Sequence, residues 1–160
     1  MTEQSYTRTF AFDRSTAEVF AAVANPRLWW SEDTDGVTDQ LGAIFYYHYQ
    51  DIHRATFKVT ELVPGQRIVW HVLQNYFNFI DDPREWTGTD VMFEIAPTES
   101  GSELRFTHRG LVPSERCYEV CNESWTFYLA SLHSVITTGL GQPNKGEANA
   151  NPTVVPLAVA

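Results

Sequence analysis

Basic residues are scarce in this chain of 160 residues: 11 Lys and Arg stand against 20 Asp and Glu, for a net charge of −9. They are also spread thinly. Counterion release from a basic surface drives nucleic-acid binding, and none is available here, so no nucleic-acid partner is expected. The acidity reads most simply as solubility. Cysteine is nearly absent. Cys117 and Cys121 lie in one segment of helical period, where parallel side chains would strain a disulfide between them. No His pair stands near them at a zinc spacing, so they read as small buried apolar residues or half-exposed thiols. No apolar run approaches the ~18 residues a bilayer span needs, and no membrane insertion is expected. The opening MTEQSYTRTF has no basic region followed by an apolar one, which leads to the expectation of no signal peptide and a cytoplasmic protein. His48, His53, His71, His108 and His133 show neither a His-x-His nor a His-Glu-x-x-His spacing, which speaks against a metal. A glycine-rich phosphate loop and a nucleophile elbow are both missing. No cofactor and no catalytic constellation are expected.

Large apolar rings are plentiful. Five Trp, seven Tyr and ten Phe are enough for a large core in a chain of one-domain length. At this size folding buries roughly 70% of the unfolded surface.

Ser5 to Phe12 reads as a strand. Ser15 followed by Glu18 is a capping box, opening a helix from Thr16 to Ala24 that is expected to bury Ala17, Phe20, Ala21 and Val23 or Ala24. Asn25-Pro26 ends it, because proline disfavours helical geometry in the residue before it, and a short helical turn follows from Arg27 to Trp30. Ser31 to Leu41 reads as a loop with room for a short edge strand. Strands are predicted for Ile44 to Tyr49, Ala55 to Val63, Arg67 to Tyr76, Thr89 to Ala96 and Glu103 to His108. Asp51 to His53, Asp81 to Arg84 and Thr98 to Ser102 read as turns. Pro64-Gly65 is a turn with a mechanism, since Pro presets the first central φ and Gly supplies the positive second one. Short connections imply an antiparallel meander. From Ser114 to Thr138, Cys121, Trp125, Tyr128, Leu129, Leu132 and Ile136 recur at three- and four-residue steps. Gly139 and Gly141 stop that helix in the manner of a left-handed cap. Residues 142–160 are rich in Asn, Gly, Pro and Ala without period, and a flexible tail is expected after a domain spanning residues 1–141.

These elements predict an α+β, helix-grip fold: a curved antiparallel sheet of about six strands wrapped around one long C-terminal helix, with two short helices after the first strand. A curved sheet cannot lie flat along a straight helix, so large side chains or a pocket must fill the gap, and aromatic-lined concavities favour ligands. Cavity candidates follow from strand and helix parity. Trp70 shares a face with Ile68 and Val72, Phe93 with Val91 and Ile95, and Phe106 and His108 with Leu104. Cys121, Trp125 and Leu129 lie on the sheet-facing side of the last helix, and Trp30 belongs to the short helical turn. In the strand Ile44 to Tyr49 both faces carry rings. Parity does not choose between Tyr47 with Tyr49 and Tyr46 with His48, and Tyr47 and Tyr49 are taken as the candidates. His108 is either a ligand-facing imidazole, with an unperturbed pKa suited to proton transfer, or a core histidine satisfied by the protein. Glu61 alternates with Phe57 and Val59, so it points either inward, where it would need a basic partner, or out at an edge.

Several short segments together resemble the START-like (helix-grip, SRPBCC) superfamily, and within it the single-domain homologues of the activator of Hsp90 ATPase. They are Ala17-Glu18-Val19-Phe20, Asn25-Pro26, Trp29-Trp30, Gly42, Val59-x-Glu61-Leu62 with Pro64-Gly65, and Arg67-Ile68-Val69-Trp70. Val91-x-Phe93-Glu94-Ile95, Leu104-x-Phe106-Thr107-His108-x-Gly110-Leu111, and Trp125 with Leu129, Leu132 and Gly139 complete the set, which covers residues 5 to 140. The resemblance implies a binder of a small hydrophobic molecule, such as a lipid or polyketide, in an internal apolar cavity. Related superfamily members include cyclases and hydroxylase subunits, which keeps open a cyclase- or hydrolase-type enzyme using cavity His, Tyr or Glu groups. A chaperone-linked protein-interaction domain is the third reading. The separate domain with which the eukaryotic co-chaperone binds Hsp90 has no room in 160 residues, so Hsp90 activation is not carried over.

Overall fold

The computed structural model describes residues 5–32, 34–49, 53–77, 86–111 and 118–143. The turn expected at Asp81 to Arg84, Asp51, the helix start from Ser114 through Cys117, and the tail from residue 144 lie outside them.

Strand β1 (Tyr6–Phe12) leads into helix α1 (Thr16–Val23). Ser15 caps α1 as its sequence predicts: the Glu18 backbone N–H donates to Ser15 Oγ at 3.1 Å, and the Ser15 N–H donates to the Glu18 carboxylate at 3.2 Å. The face of α1 differs from the expectation. Val19, Ala22 and Val23 are buried, whereas Ala17 and Ala21 are exposed and Phe20 is half-buried. In two helical turns rich in Ala, two stripes at three- and four-residue steps fit equally well, and only the packing partner chooses between them. A 3-10 turn (Pro26–Leu28) then delivers Trp29 and Trp30 into the core.

The remaining strands are β2 (Thr34–Asp35), β3 (Ile44–Tyr49), β4 (His53–Val63), β5 (Arg67–Phe77), β6 (Asp90–Thr98) and β7 (Gly101–Arg109). They form one antiparallel sheet in the order β1-β7-β6-β5-β4-β3-β2. The seventh strand is the two-residue β2, within the segment expected to hold a short edge strand. At the β4–β5 hairpin, Gly65 has φ +72° and the Gln66 N–H donates to the Val63 carbonyl at 2.9 Å, as a Pro-Gly turn requires.

Helix α2 (Tyr118–Thr138) lies over the inner face of the sheet. Cys121, Trp125, Tyr128, Leu129, Leu132 and Ile136 are all buried, as their spacing predicts. Gly139, with φ +87°, ends it. Gly141 serves differently from the expected left-handed cap: a Cβ there would collide with the Leu28 carbonyl oxygen and with Val135. Its lack of a side chain lets the chain leaving α2 pass against the turn that carries Trp29 and Trp30.

Two bulges interrupt the β4–β5 ladder. Thr56 pairs with Gln74 but Phe57 with Val72, and Val59 pairs with Trp70 but Glu61 with Val69. The second inserts Thr60 as an extra residue and reverses parity beyond it. Glu61 therefore points outward, where it holds Arg67 at 2.8 Å. The inward alternative for Glu61 is thereby excluded.

Candidate functional site

The inner face of the sheet, α2 and the Trp29–Trp30 turn enclose a cluster built mostly of rings. Trp29, Trp30 and Trp70 lie near-parallel: Trp30 to Trp70 is 5.8 Å between centroids at 9°, and Trp29 to Trp70 is 6.3 Å at 10°. Tyr47 stacks on the far side of Trp30 at 4.2 Å. Phe45, Phe57 and Phe93 approach Trp70 at 5.2, 5.8 and 4.9 Å, and Phe106 links Phe93 to Trp125. A buried Trp removes about 200 Å² from water, on the order of 5 kcal/mol each as an upper bound. This cluster therefore dominates the stability of the domain.

One end of the cluster is polar. Trp86 stacks on Trp125 at 5.8 Å and 3°, and two imidazoles stand edge-on to it, His53 at 4.7 Å and His108 at 4.6 Å. Both histidines are fully buried. His53 Nε2 and Asn75 Oδ1 are 2.7 Å apart. Trp125 donates its indole N–H to His108 Nδ1 at 3.1 Å. An indole nitrogen only donates, so His108 Nδ1 is bare and its proton sits on Nε2, which donates to Thr89 Oγ1 at 2.8 Å. The Thr89 hydroxyl in turn donates to the Trp86 carbonyl at 2.6 Å. Burial lowers the His108 pKa to about 3, aided by the charge of His53 and opposed by that of Asp90. Protonation would also set a second hydrogen against the Trp125 N–H. His108 is thus held neutral, with both ring nitrogens bonded within the protein, and this is the satisfied core histidine of the two sequence readings.

All ten residues singled out from sequence lie in this cluster and are buried: Trp30, Tyr47, Tyr49, Trp70, Phe93, Phe106, His108, Cys121, Trp125 and Leu129. The choice that parity left open in β3 goes to Tyr47 and Tyr49 inside; Tyr46 is exposed. Four further members were not anticipated. His53 falls in a predicted turn but begins β4; Asn75 and Thr89 fall in predicted strands without a signal for the site, and Trp86 carries no periodic signal. A tryptophan next to a turn-rich segment was the one available clue to Trp86, since so large a ring is rarely left in water.

Among the described residues, the buried polar atoms of the cluster without a hydrogen-bond partner include Trp30 Nε1, Trp70 Nε1 and Tyr49 OH. An unmade hydrogen bond at a buried polar group costs roughly 1–3 kcal/mol. Burial also raises the pKa of the Tyr49 phenol.

The outer face of the sheet is different in kind. His71, Asp90 and Arg109 form a cross-strand row, with Asp90 2.8 Å from His71 Nδ1 and 2.6 Å from Arg109. A groove of about 290 Å³ lies over β3, β4 and β5, and among its walls are Tyr46, Arg54, Gln74 and Tyr76. No group of three or more His, Cys, Asp or Glu among the described residues is placed to hold a metal. No helix among them is long and apolar enough to cross a membrane.

Comparisons with known proteins agree with this architecture. The solution structure of the Aha1 dimer from Colwellia psychrerythraea matches at TM-score 0.70 and 23% identity, over 88% of this chain and 100% of that one. Protein MLL2253 from Mesorhizobium loti matches at TM-score 0.66 and 17% identity, over 83% and 96%. CalU16 from Micromonospora echinospora matches at 0.57 and 18%, over 83% and 74%. At such identities the likeness shows the fold, START-like and helix-grip. No curated protein is similar enough to this chain to count as a match. The family model described as Activator of Hsp90 ATPase homolog 1-like protein matches residues 13–137, most of the domain and all of the ring cluster's elements from α1 onward. The chain belongs to the family of Activator of Hsp90 ATPase homolog 1-like proteins.

Proposed function

We propose that this protein binds a small, largely apolar molecule among the rings between the sheet and α2, as a carrier or sensor. The observation that carries the reading is a set of buried donors without a partner inside the aromatic cluster, Trp30 Nε1, Trp70 Nε1 and Tyr49 OH. Burying polar groups costs stability unless each is bonded, and a core selected for stability alone would use aliphatic side chains there. Unpaired donors within an apolar body are what fixes an amphipathic ligand in one pose. The ligand surface consists of the ten residues predicted from sequence, joined by His53, Asn75 and Trp86. A cytoplasmic setting with no cofactor fits this reading.

The experiment is thermal unfolding of the wild-type protein against lipids, flavonoids and aromatic polyketides, with Trp fluorescence read in parallel. A ligand specific to the native state adds about 2.7 kcal/mol at a hundredfold excess over its Kd. Stabilisation with a matched change in Trp emission is the expected result. If no class stabilises the protein, the reading fails.

The enzyme alternative draws no support from His108, whose lone pair at Nδ1 is taken by Trp125. A protein-interaction domain is favoured by one observation, the exposure of Ile44, Tyr46, Leu73 and Tyr76 on the outer side of β3 and β5. The neighbour from Colwellia psychrerythraea is described as a dimer. Sedimentation across a concentration series tests whether this chain self-associates.

A further inference from the structure

We infer that the stacked pair Trp30 and Trp70 is a hydrogen-bonding subsite for a flat, largely apolar ligand bearing a carbonyl oxygen on its ring system. This rests on the ligand-binding reading above and narrows it.

Two other indole N–H groups of the same cluster are satisfied by the fold. Trp29, in the same near-parallel stack, donates to the Ala22 carbonyl at 3.1 Å, and Trp125 donates to His108 at 3.1 Å. Trp30 and Trp70 lie between these two, fully buried and 5.8 Å apart, and neither N–H has a partner. Native interiors leave few polar groups unpaired, and two adjacent ones call for an explanation. Because an indole N–H only donates, what is missing is an acceptor.

The surroundings select the kind of acceptor. Phe45, Phe57 and Phe93 pack on Trp70, Tyr47 covers Trp30, and no Lys or Arg among the described residues is buried. A carboxylate or phosphate would surrender its hydration here with no cation to replace it. A hydroxyl would bring a donor needing an acceptor of its own. A carbonyl oxygen has two lone pairs and no hydrogen, so it can take both indole N–H groups and leave nothing unpaired. Trp29, Trp30, Trp70 and Tyr47 pair within 19° of parallel, and such faces suit a planar ring system. Tyr49, which shares the inner face of β3 with Tyr47, offers its unpaired hydroxyl to a second oxygen.

The test uses a pair of probes with one skeleton, 1-tetralone and tetralin, on the full chain labelled with ¹⁵N. Indole N–H resonances are assigned with W30F and W70F. The expected result is that 1-tetralone moves the Trp30 and Trp70 N–H protons downfield and binds at least about tenfold tighter than tetralin, the scale of one net hydrogen bond. Each Phe variant then removes that preference while tetralin binding persists. The wild-type N–H shifts stand as a readout even if a variant does not fold. Equal affinity for the two probes with ring-current shifts only would overturn the subsite and leave the ligand reading intact. So would N–H protons that exchange with a bound water both before and after 1-tetralone is added. Binding of neither probe overturns the subsite, while the broader reading stands or falls on the unfolding series.

Discussion

The indole N–H of Trp125, midway along α2, donates to Nδ1 of His108, near the end of β7, at 3.1 Å with both residues buried. That single bond decides the tautomer of the imidazole, and through Thr89 it ties the last helix to the Trp86 backbone.

Acid should weaken the domain through this histidine. The folded pKa of about 3 lies below the ~6.5 of an unfolded chain. The unfolded state therefore binds the extra proton between those values, and stability falls as pH drops through that window. The stabilisation is fully present above pH ~6.5, and its loss by pH ~3 is on the order of 4 kcal/mol. Urea unfolding at a series of pH values checks this. The variant His108→Gln should be less stable at pH 7 and show a flatter profile between pH 6.5 and 4.

Thr89→Val should cost roughly 1–3 kcal/mol, because it strands both His108 Nε2 and the Trp86 carbonyl in a buried setting. Thr89→Ser retains the hydroxyl and should recover most of the loss. Equal destabilisation by Val and Ser in denaturant unfolding would point to methyl packing instead of the hydrogen bonds.

Asp90 also links pH to stability, in a lower window. Burial alone would raise its pKa, but hydrogen bonds from Arg109 and His71 outweigh that and lower it. Its contribution is present above the unfolded carboxyl pKa and disappears as pH falls through the folded one. Carboxyl chemical shifts should titrate below the ordinary Asp range in the wild type and return toward it in Arg109→Ala. On so exposed a row the stability change at pH 7 should stay below about 1 kcal/mol.

Ser15→Ala should destabilise the domain by about 1 kcal/mol, since it removes the acceptor for the Glu18 N–H at the start of α1. Ser15→Thr should be nearly neutral. Thermal unfolding at neutral pH distinguishes the two.

Much of the fold was legible in local pattern. The Ser15–Glu18 box, the Pro64-Gly65 turn, the inward faces of β6 and β7, and the α2 stripe from Cys121 to Ile136 all appear as their spacing predicts. The candidate site was legible in part. Trp70, Phe93, Phe106, His108 and Trp125 could be placed inside because each sits in an element with one clear apolar face. Trp86, in a segment without period, could not be placed, and Thr89 was legible only as the start of a strand. His53 was mistaken for a turn residue although it opens β4.

What the sequence by itself determined is the set of elements, their order and the faces of those with a single apolar side, because each depends on residues within a few positions of one another. Tertiary structure alone decided that β3 turns Tyr47 and Tyr49 inward, because both of its faces are aromatic and only the position of Trp30 separates them. It also decided that the bulge at Thr60 sends Glu61 out to Arg67. The state of His108 belongs there too: its neutrality depends first on burial and then on Trp125, Thr89 and His53, which reach it from α2, the approach to β6 and β4. A side chain's direction follows from local backbone period, but its hydrogen-bond partners and its charge follow from groups that only folding brings within 3 Å.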